Sequence, residues 1–266
     1  MVSDYLASMF SLEGKTALVT GAAGSIGSAV AIALAKAGAY VAVCDANTRD
    51  LHETQKAVPE RIALFGMDML DCGNFPNKLR DITNWSGGRI DILVNCAGIN
   101  KREGLVDVEE ETYDKIMDIN LKGVFFLSQA VAPYMKKQNG GSIINIGSHN
   151  TGAVLGGVSV YAATKSGVLA LTRSMATEWA KYNIRANCIS PGHIKTELTA
   201  PTWEHPVRSK YLLDRIALGR PGYPEDVVGL CVFLASDAAG YITGSEYRID
   251  GGCLSGGQPW PYDTRF

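Results

Sequence analysis

The sequence predicts an α/β fold: a doubly wound parallel sheet of about seven strands flanked by helices, built as a single domain. Three observations carry this expectation. Short β-branched and aliphatic runs alternate with longer stretches of helical period, as in parallel strands joined by crossover helices. The runs are almost continuously apolar, which suits strands covered on both faces. The chain has 266 residues and 46% hydrophobic content, enough for one large core, and no linker, repeat or low-complexity segment divides it.

The expected strands are TALVT (16–20), YVAVC (40–44), IALFG (62–66), DILVN (91–95), SIINI (142–146), RANCIS (185–190) and EYRID (246–250). Helical period marks the stretches between them, such as SIGSAVAIALAKAG and TKSGVLALTRSMATEWAKY. Two segments break the alternation. Residues 193–226, punctuated by prolines and following a strand's carboxyl end, read as a lid over a pocket; residues 254–266 read as a C-terminal tail.

Charge and composition exclude several roles. Charged residues make up 20% of the chain and the formal net charge is −2, so no basic excess exists to neutralise nucleic-acid phosphates or to hold a membrane surface. Apolar runs stop far short of the ~20 residues that a membrane span needs. The N-terminal residues lack a basic region followed by a sustained apolar run, so no secretory signal is expected. The six cysteines are scattered without a C-x-x-C pair, which points to free thiols in a reducing compartment and to a cytoplasmic protein with no metal framework.

The first strand leads into TGAAGSIG (20–27) and then a helix. Gly21, Gly24, Ser25, Ile26 and Gly27 would form a tight turn whose backbone N–H groups meet a pyrophosphate at the helix's positive end. The second strand ends at Asp45, and 45 − 21 = 24 residues separate it from Gly21. An acid there can accept hydrogen bonds from the adenosine ribose hydroxyls and repel a 2′-phosphate, which favours NAD over NADP. The alternative role for Asp45 is a helix cap, and Arg49 lies nearby to tolerate a phosphate.

Tyr161 and Lys165 stand four positions apart in SVYAATKSG, on one face of the expected helix. Ser148, 161 − 148 = 13 residues earlier, lies at the exit of the fifth strand in NIGSHN, and Asn120 lies in MDINLKG. With the glycine turn, VNCAG (94–98) and a terminal DGG, these ordered motifs resemble the short-chain dehydrogenase/reductase family from LEGKTALVTG to YRIDGG, nearly the whole chain.

The resemblance implies a Rossmann-type fold and a set of roles. Tyr161 would be the general acid/base, Lys165 its electrostatic partner and a ribose ligand, Ser148 the donor that polarises a carbonyl, and Asn120 the anchor of a water in a proton relay. A free phenol titrates near ~10, and a cation within ~4–6 Å can lower such a pKa by about 1–3 units. Asp68 and Met69 would cap the adenine, Asn95, Ala97 and Gly98 would run beside the cofactor's ribose, and Pro191, Gly192, Ile194 and Thr196 would face the nicotinamide carboxamide. The chain departs from the family's T-G-x-x-x-G-x-G at Ser25, which takes the middle glycine's place, and from N-N-A-G at Cys96. By the same kinship the chain is expected to form homodimers or homotetramers through the helix that starts near Tyr161.

GINKREG follows the fourth strand, so Lys101 and Arg102 are candidates to clamp a substrate carboxylate; the alternative is a solvated loop paired with acids such as Glu103. His149 and His193 are further candidates to face the substrate, against a purely structural role, and neither belongs to a metal-ligand spacing. Trp203 and Trp260 are candidates to line a pocket, against the alternative of packing at an interface or on the surface. INKREGLVDV, IINIGS and SPGHIKTELT look most like the family's gluconate 5-dehydrogenase and 2-deoxygluconate 3-dehydrogenase branch, so a sugar acid or polyol is the leading substrate class. The alternatives are a reductase of an apolar ketone or 3-oxoacyl thioester, and a non-catalytic NAD-sensing regulator.

Overall fold

Seven parallel strands hydrogen-bond in the order β3-β2-β1-β4-β5-β6-β7 in a computed structural model that describes residues 2–257. They are β1 (Thr16–Thr20), β2 (Tyr40–Asp45), β3 (Ile62–Gly66), β4 (Ile92–Asn95), β5 (Gly141–Ile146), β6 (Ile184–Pro191) and β7 (Glu246–Ile249). Each coincides with an expected run to within one residue at either end. Pairing register joins Thr20 to Asn95 and Asn95 to Asn145, so the carboxyl ends of the central strands lie level.

After α1 (Val2–Phe10), the helices α2 (Ser25–Lys36), α3 (Leu51–Ala57), α4 (Phe75–Trp85), α5 (Glu110–Met117), α6 (Gly123–Lys137) and α7 (Ser159–Trp179) connect or follow the strands. The chain then forms α8 (Ala200–Glu204), α9 (Pro206–Leu213) and α10 (Pro224–Ala235). Side chains alternate across the sheet, and each face builds its own core. Ala17, Val19, Val41 and Val43 pack with Val30 and Leu34 of α2 and Val227 and Leu234 of α10 on one face. Leu18, Ala42 and Leu93 pack with Leu79 of α4, Leu127 and Val131 of α6 and Met175 of α7 on the other. Each such Leu or Ile, hidden from water, contributes about 1.5–3 kcal/mol.

The order reverses between β1 and β4, since β1 continues to β2 on one side and β4 to β5 on the other. Crossover chains leave these two strand ends in opposite directions and open a crevice there, the place where open α/β sheets bind ligands. The segment 193–226, expected as a lid, carries α8 and α9 and is pinned at its base. Ile194 pairs with Gly222, Lys195 N donates to Gly222 O (2.8 Å), and Gly222 N donates to His193 O (3.0 Å). Of the expected tail, residues 258–266, Trp260 among them, lie outside the described residues. No described helix is long and apolar enough to cross a membrane.

Candidate active site

The crevice at the reversal point is a cleft of about 570 Å³. One end is built by the turn after β1. Gly21 has φ +67°, and a Cβ on it would stand 2.6 Å from Ala97 Cα; a Cβ on Gly27 would strike Gly21 O. Neither position has room for a side chain. Gly24 caps α2, and Gly21, Gly24, Ser25, Ile26 and Gly27 all line the cleft. The first N–H groups of a helix have no partner within it, so this end of α2 offers donors and positive potential to an anion. Ser25 is the first helical residue, where glycine's extra freedom is not required.

Thr20, the first residue of the TGAAGSIG turn, lines the cleft but was given no role of its own from the motif. Its Oγ1 accepts from both Cys96 N and Ala97 N (3.2 Å each), which holds the β4 exit against the glycine turn. Ala97 and Gly98 line the cleft as expected, but Asn95 does not. Its Nδ2 donates to Asn145 Oδ1 (2.8 Å) and Ser128 Oγ (3.0 Å), so it is a buried tie between β4, β5 and α6. The reason is strand alternation: at the last residue of β4 the side chain points into the core beneath the cleft floor.

Asp45 and Asp68 line the same end, with Met69. Asp45 Oδ2 accepts from Ala23 N (3.3 Å) and Oδ1 from Asn47 N (3.2 Å), so the carboxylate braces the glycine turn and its own strand exit. Asp68 Oδ1 accepts from Leu70 N (2.9 Å) and closes the turn after β3.

At the other end Ser148, Tyr161 and Lys165 line the cleft together. Lys165, 3% exposed, donates from Nζ to Ile146 O (2.7 Å), and its Nζ lies 5.6 Å from the Tyr161 ring centroid. The i, i+4 spacing on α7 thus brings phenol and ammonium onto one face. A Cβ on Gly98 would stand 3.4 Å from both Lys165 Nζ and Asn120 Oδ1, so both side chains pack close against the bare backbone there.

Asn120 is fully buried behind the cleft wall. It lies in a single π-type turn, Asp118–Lys122, that joins α5 to α6. Its Oδ1 accepts from Ile99 N and its Nδ2 donates to Ile99 O (2.8 Å each) and to Thr164 Oγ1 (3.3 Å). Such widened turns interrupt helices mostly at functional positions.

Ser148 is held by Asn150, which sequence reading did not single out. Its Oγ accepts from Asn150 N and from Asn150 Nδ2, both at 3.1 Å. Asn150 Oδ1 accepts from Leu155 N (3.3 Å), which fixes the amide's orientation. Farther along the same turn, Thr151 Oγ1 donates to Glu246 Oε1 (2.5 Å) on β7.

Pro191, Gly192, His193, Ile194 and Thr196 line the cleft at the β6 exit. The His149 and His193 rings stand edge to face, 4.4 Å between centroids and 88° apart. Burial, and then the neighbouring His149 and Arg102, hold the His193 imidazole down at about 4; burial also lowers His149, against the pull of Asp250. Arg102 lines the cleft, but Lys101 does not: its Nζ pairs with Glu103 Oε1 (2.6 Å) and Thr112 Oγ1 (3.1 Å). Adjacent residues on an extended loop point to opposite sides, so only one of the pair faces inward. From the 193–226 segment, Leu198, Thr202, Trp203 and Leu212 line the cleft, so of the two roles open to Trp203 the structure gives it the cleft wall.

The chain matches the family profile described as enoyl-(acyl carrier protein) reductase over residues 21–253. It is 41% identical over 250 residues to the 2-dehydro-3-deoxy-D-gluconate 5-dehydrogenase of Dickeya dadantii, covering 92% of this chain and 98% of that one. It is 40% identical over 251 residues to the 3-oxoacyl-acyl-carrier-protein reductase of Thermotoga maritima, covering 91% and 99%. Among solved structures it is similar to a gluconate 5-dehydrogenase from Burkholderia cenocepacia in complex with NADP and tartrate: TM-score 0.89, 34% identity, 94% and 99% coverage.

Proposed function

Because the chain belongs to the short-chain dehydrogenase/reductase family, whose named relatives here are dehydrogenases and reductases, we propose that it interconverts a secondary hydroxyl and a ketone on a sugar acid or polyol, using NAD(H). The observation that carries this reading is the convergence of Ser148, Tyr161 and Lys165 on one cleft whose opposite end is a glycine turn and a helix N-terminus.

The residues fit a dinucleotide. Gly21 and Gly27 leave backbone where a side chain would block the approach, and α2 presents its N-terminus to the pyrophosphate. Asp45 and Asp68 stand at the adenosine end, and Pro191, Gly192, Ile194 and Thr196 at the reacting end. The Asp45 carboxylate supports NAD, since a 2′-phosphate would meet its charge. The NADP in the Burkholderia structure belongs to that protein. A bound nicotinamide supplies the hydride acceptor or donor.

The chain's own groups handle the proton and the substrate oxygen. A hydroxyl has one hydrogen to donate and two lone pairs to accept with. Asn150 occupies both acceptor sites of Ser148, so the Ser148 hydrogen is left to donate to the substrate oxygen. Tyr161 takes the proton from an alcohol or returns it to a forming alkoxide. Lys165 supplies positive charge beside the phenol, and Asn120 holds the Ile99 backbone behind it. The 193–226 segment serves as the lid, with Trp203 and Leu212 screening the site from water.

Arg102 at the substrate end supports an anionic substrate, by bidentate pairing with a carboxylate. The apolar residues Leu155, Val158, Leu198 and Trp203 on the same walls favour a second reading, reduction of an apolar ketone or acyl thioester. Self-association through α6 and α7 is supported by Phe125 and Phe126, each 40% exposed, and by a groove that includes Leu171 and Trp179.

The test is NADH absorbance with a panel of sugar acids, matched neutral polyols and acyl thioesters, run with NAD and NADP in parallel and repeated with Arg102→Ala. The reading expects acids to be preferred and Arg102→Ala to lower their kcat/KM by roughly tenfold or more, in line with a lost charge-assisted pair. Equal rates on acids and polyols would remove the carboxylate clamp, and silence on every substrate would remove the enzyme reading.

A further inference from the structure

Three neighbouring strands each deliver a metal-capable side chain just past their carboxyl ends. His149 lies 149 − 146 = 3 residues beyond β5, His193 lies 193 − 191 = 2 beyond β6, and Cys253 lies 253 − 249 = 4 beyond β7. One ligand atom from each falls within 4.8 Å of the other two. They are 44 and 60 residues apart along the chain (193 − 149 and 253 − 193), so no motif spacing announces them; the parallel sheet gathers them.

We propose that His149, His193 and Cys253 form a binding site for zinc or a similarly soft divalent cation, and that a cation held there blocks turnover at the substrate end of the cleft. The blocking half rests on the proposed dehydrogenase reading; the binding half does not.

Two imidazoles and a thiolate are a donor set that zinc prefers over harder ions. With Zn–N near 2.0–2.1 Å and Zn–S near 2.3 Å, a tetrahedral ion holds two nitrogens and one sulfur about 3.3–3.6 Å apart. Separations of up to 4.8 Å close to that range by small side-chain rotations. Three protein ligands leave the fourth position for water.

The surroundings support a cation. His149 is 5% exposed, and its Nδ1 is enclosed with no hydrogen-bond partner among the described residues, an arrangement that is costly unless something else occupies it. Burial lowers the pKa of both imidazoles, which favours the form with a lone pair to give. The turn that carries Cys253 is braced by Asp250, whose Oδ1 accepts from Gly252 N (2.9 Å) and Oδ2 from Leu254 N (3.0 Å). Its negative charge acts on all three ligands and favours an ion there, while Arg102 acting on His193, and Arg215 acting on His193 and Cys253, oppose it. On binding, the Cys253 thiol loses its proton to solvent and the sulfur–metal bond forms, with no change of oxidation state.

His149 adjoins Ser148, and both imidazoles line the cleft. An ion held by these imidazoles would share the cleft that Ser148 and Tyr161 line, and would compete there with a substrate.

The experiment titrates Zn²⁺ into the chelator-stripped full chain against a chromophoric chelator. One equivalent per chain is expected, with affinity reduced at least tenfold by Cys253→Ala and by His193→Ala, and unchanged by Cys72→Ala. Titration with Co²⁺ is expected to give a thiolate charge-transfer band that Cys253→Ala abolishes, and nicotinamide binding checks that each variant is folded. No stoichiometric binding, or equal affinity in Cys253→Ala, overturns the site. In a parallel arm Zn²⁺ is expected to suppress turnover of the parent chain reversibly and to spare Cys253→Ala. Zinc bound through these residues without loss of turnover overturns the blocking role. If no substrate in the panel turns over, the dehydrogenase reading fails while the two titrations still decide the site.

Discussion

Ser148 and Asn150 are joined by two hydrogen bonds that end on one atom: the Asn150 backbone N and its Nδ2 each donate to Ser148 Oγ at 3.1 Å. The serine therefore has no acceptor capacity left, and its hydrogen remains to be donated. Asn150 is a positioning residue in this account, because it acts through Ser148.

Replacing Asn150 by Ala is expected to remove the side-chain half of this arrangement and let the hydroxyl rotate. Steady-state kinetics should show kcat reduced by roughly 10- to 100-fold, the scale of a lost positioned donor, with cofactor affinity unchanged. Asn150→Ser, whose shorter side chain cannot reproduce the contact, should behave like Ala. A wild-type kcat in both would separate Asn150 from the chemistry.

The proposed preference for NAD rests on the charge of Asp45 at one end of the cleft. Asp45→Asn keeps the shape of the carboxylate while removing its repulsion. The NADP to NAD ratio of kcat/KM should rise by about tenfold or more, an electrostatic change of the order of 1.4 kcal/mol. An unchanged ratio would place the discrimination elsewhere, for example at Arg49.

The partly buried imidazole of His193 makes stability depend on pH. Its folded value of about 4 lies below the ordinary 6.5, so between these values the unfolded chain binds a proton that the folded chain refuses. This group's contribution to stability is full above about 6.5, falls as pH drops through this window and is gone below about 4. Urea denaturation at about pH 7 and about pH 5 should differ by roughly 2 kcal/mol from this group, a difference that His193→Gln should reduce. An equal pH slope in the variant would contradict the assignment.

The inner strands of the sheet were legible because they are short apolar runs covered on both faces, whereas the edge strand β7, EYRI, is only partly buried and was marked by its place in the alternation. The Ser148, Tyr161 and Lys165 grouping was legible because its members lie on one strand exit and one helix face, where spacing fixes geometry. Side-chain direction on irregular backbone was not. Lys101 and Arg102 are adjacent in the chain, yet one pairs with Glu103 outside the cleft and the other lines it. Asn95 ends its strand with the side chain turned into the core, a register detail that the VNCAG motif does not encode. Trp203 reaches the cleft because α8 and α9 fold back over it, and the His149, His193 and Cys253 cluster exists only once the sheet order places three strand exits side by side.

The most direct measurement is turnover of Tyr161→Phe on a substrate found with the parent enzyme, alongside nicotinamide binding by the same preparation. The phenyl ring keeps the packing on α7 and removes the proton-carrying oxygen. Cofactor binding should persist while kcat falls by about 10²–10⁴-fold, the usual worth of a positioned acid/base group. A variant that binds cofactor and turns over within a few-fold of the parent would contradict the account.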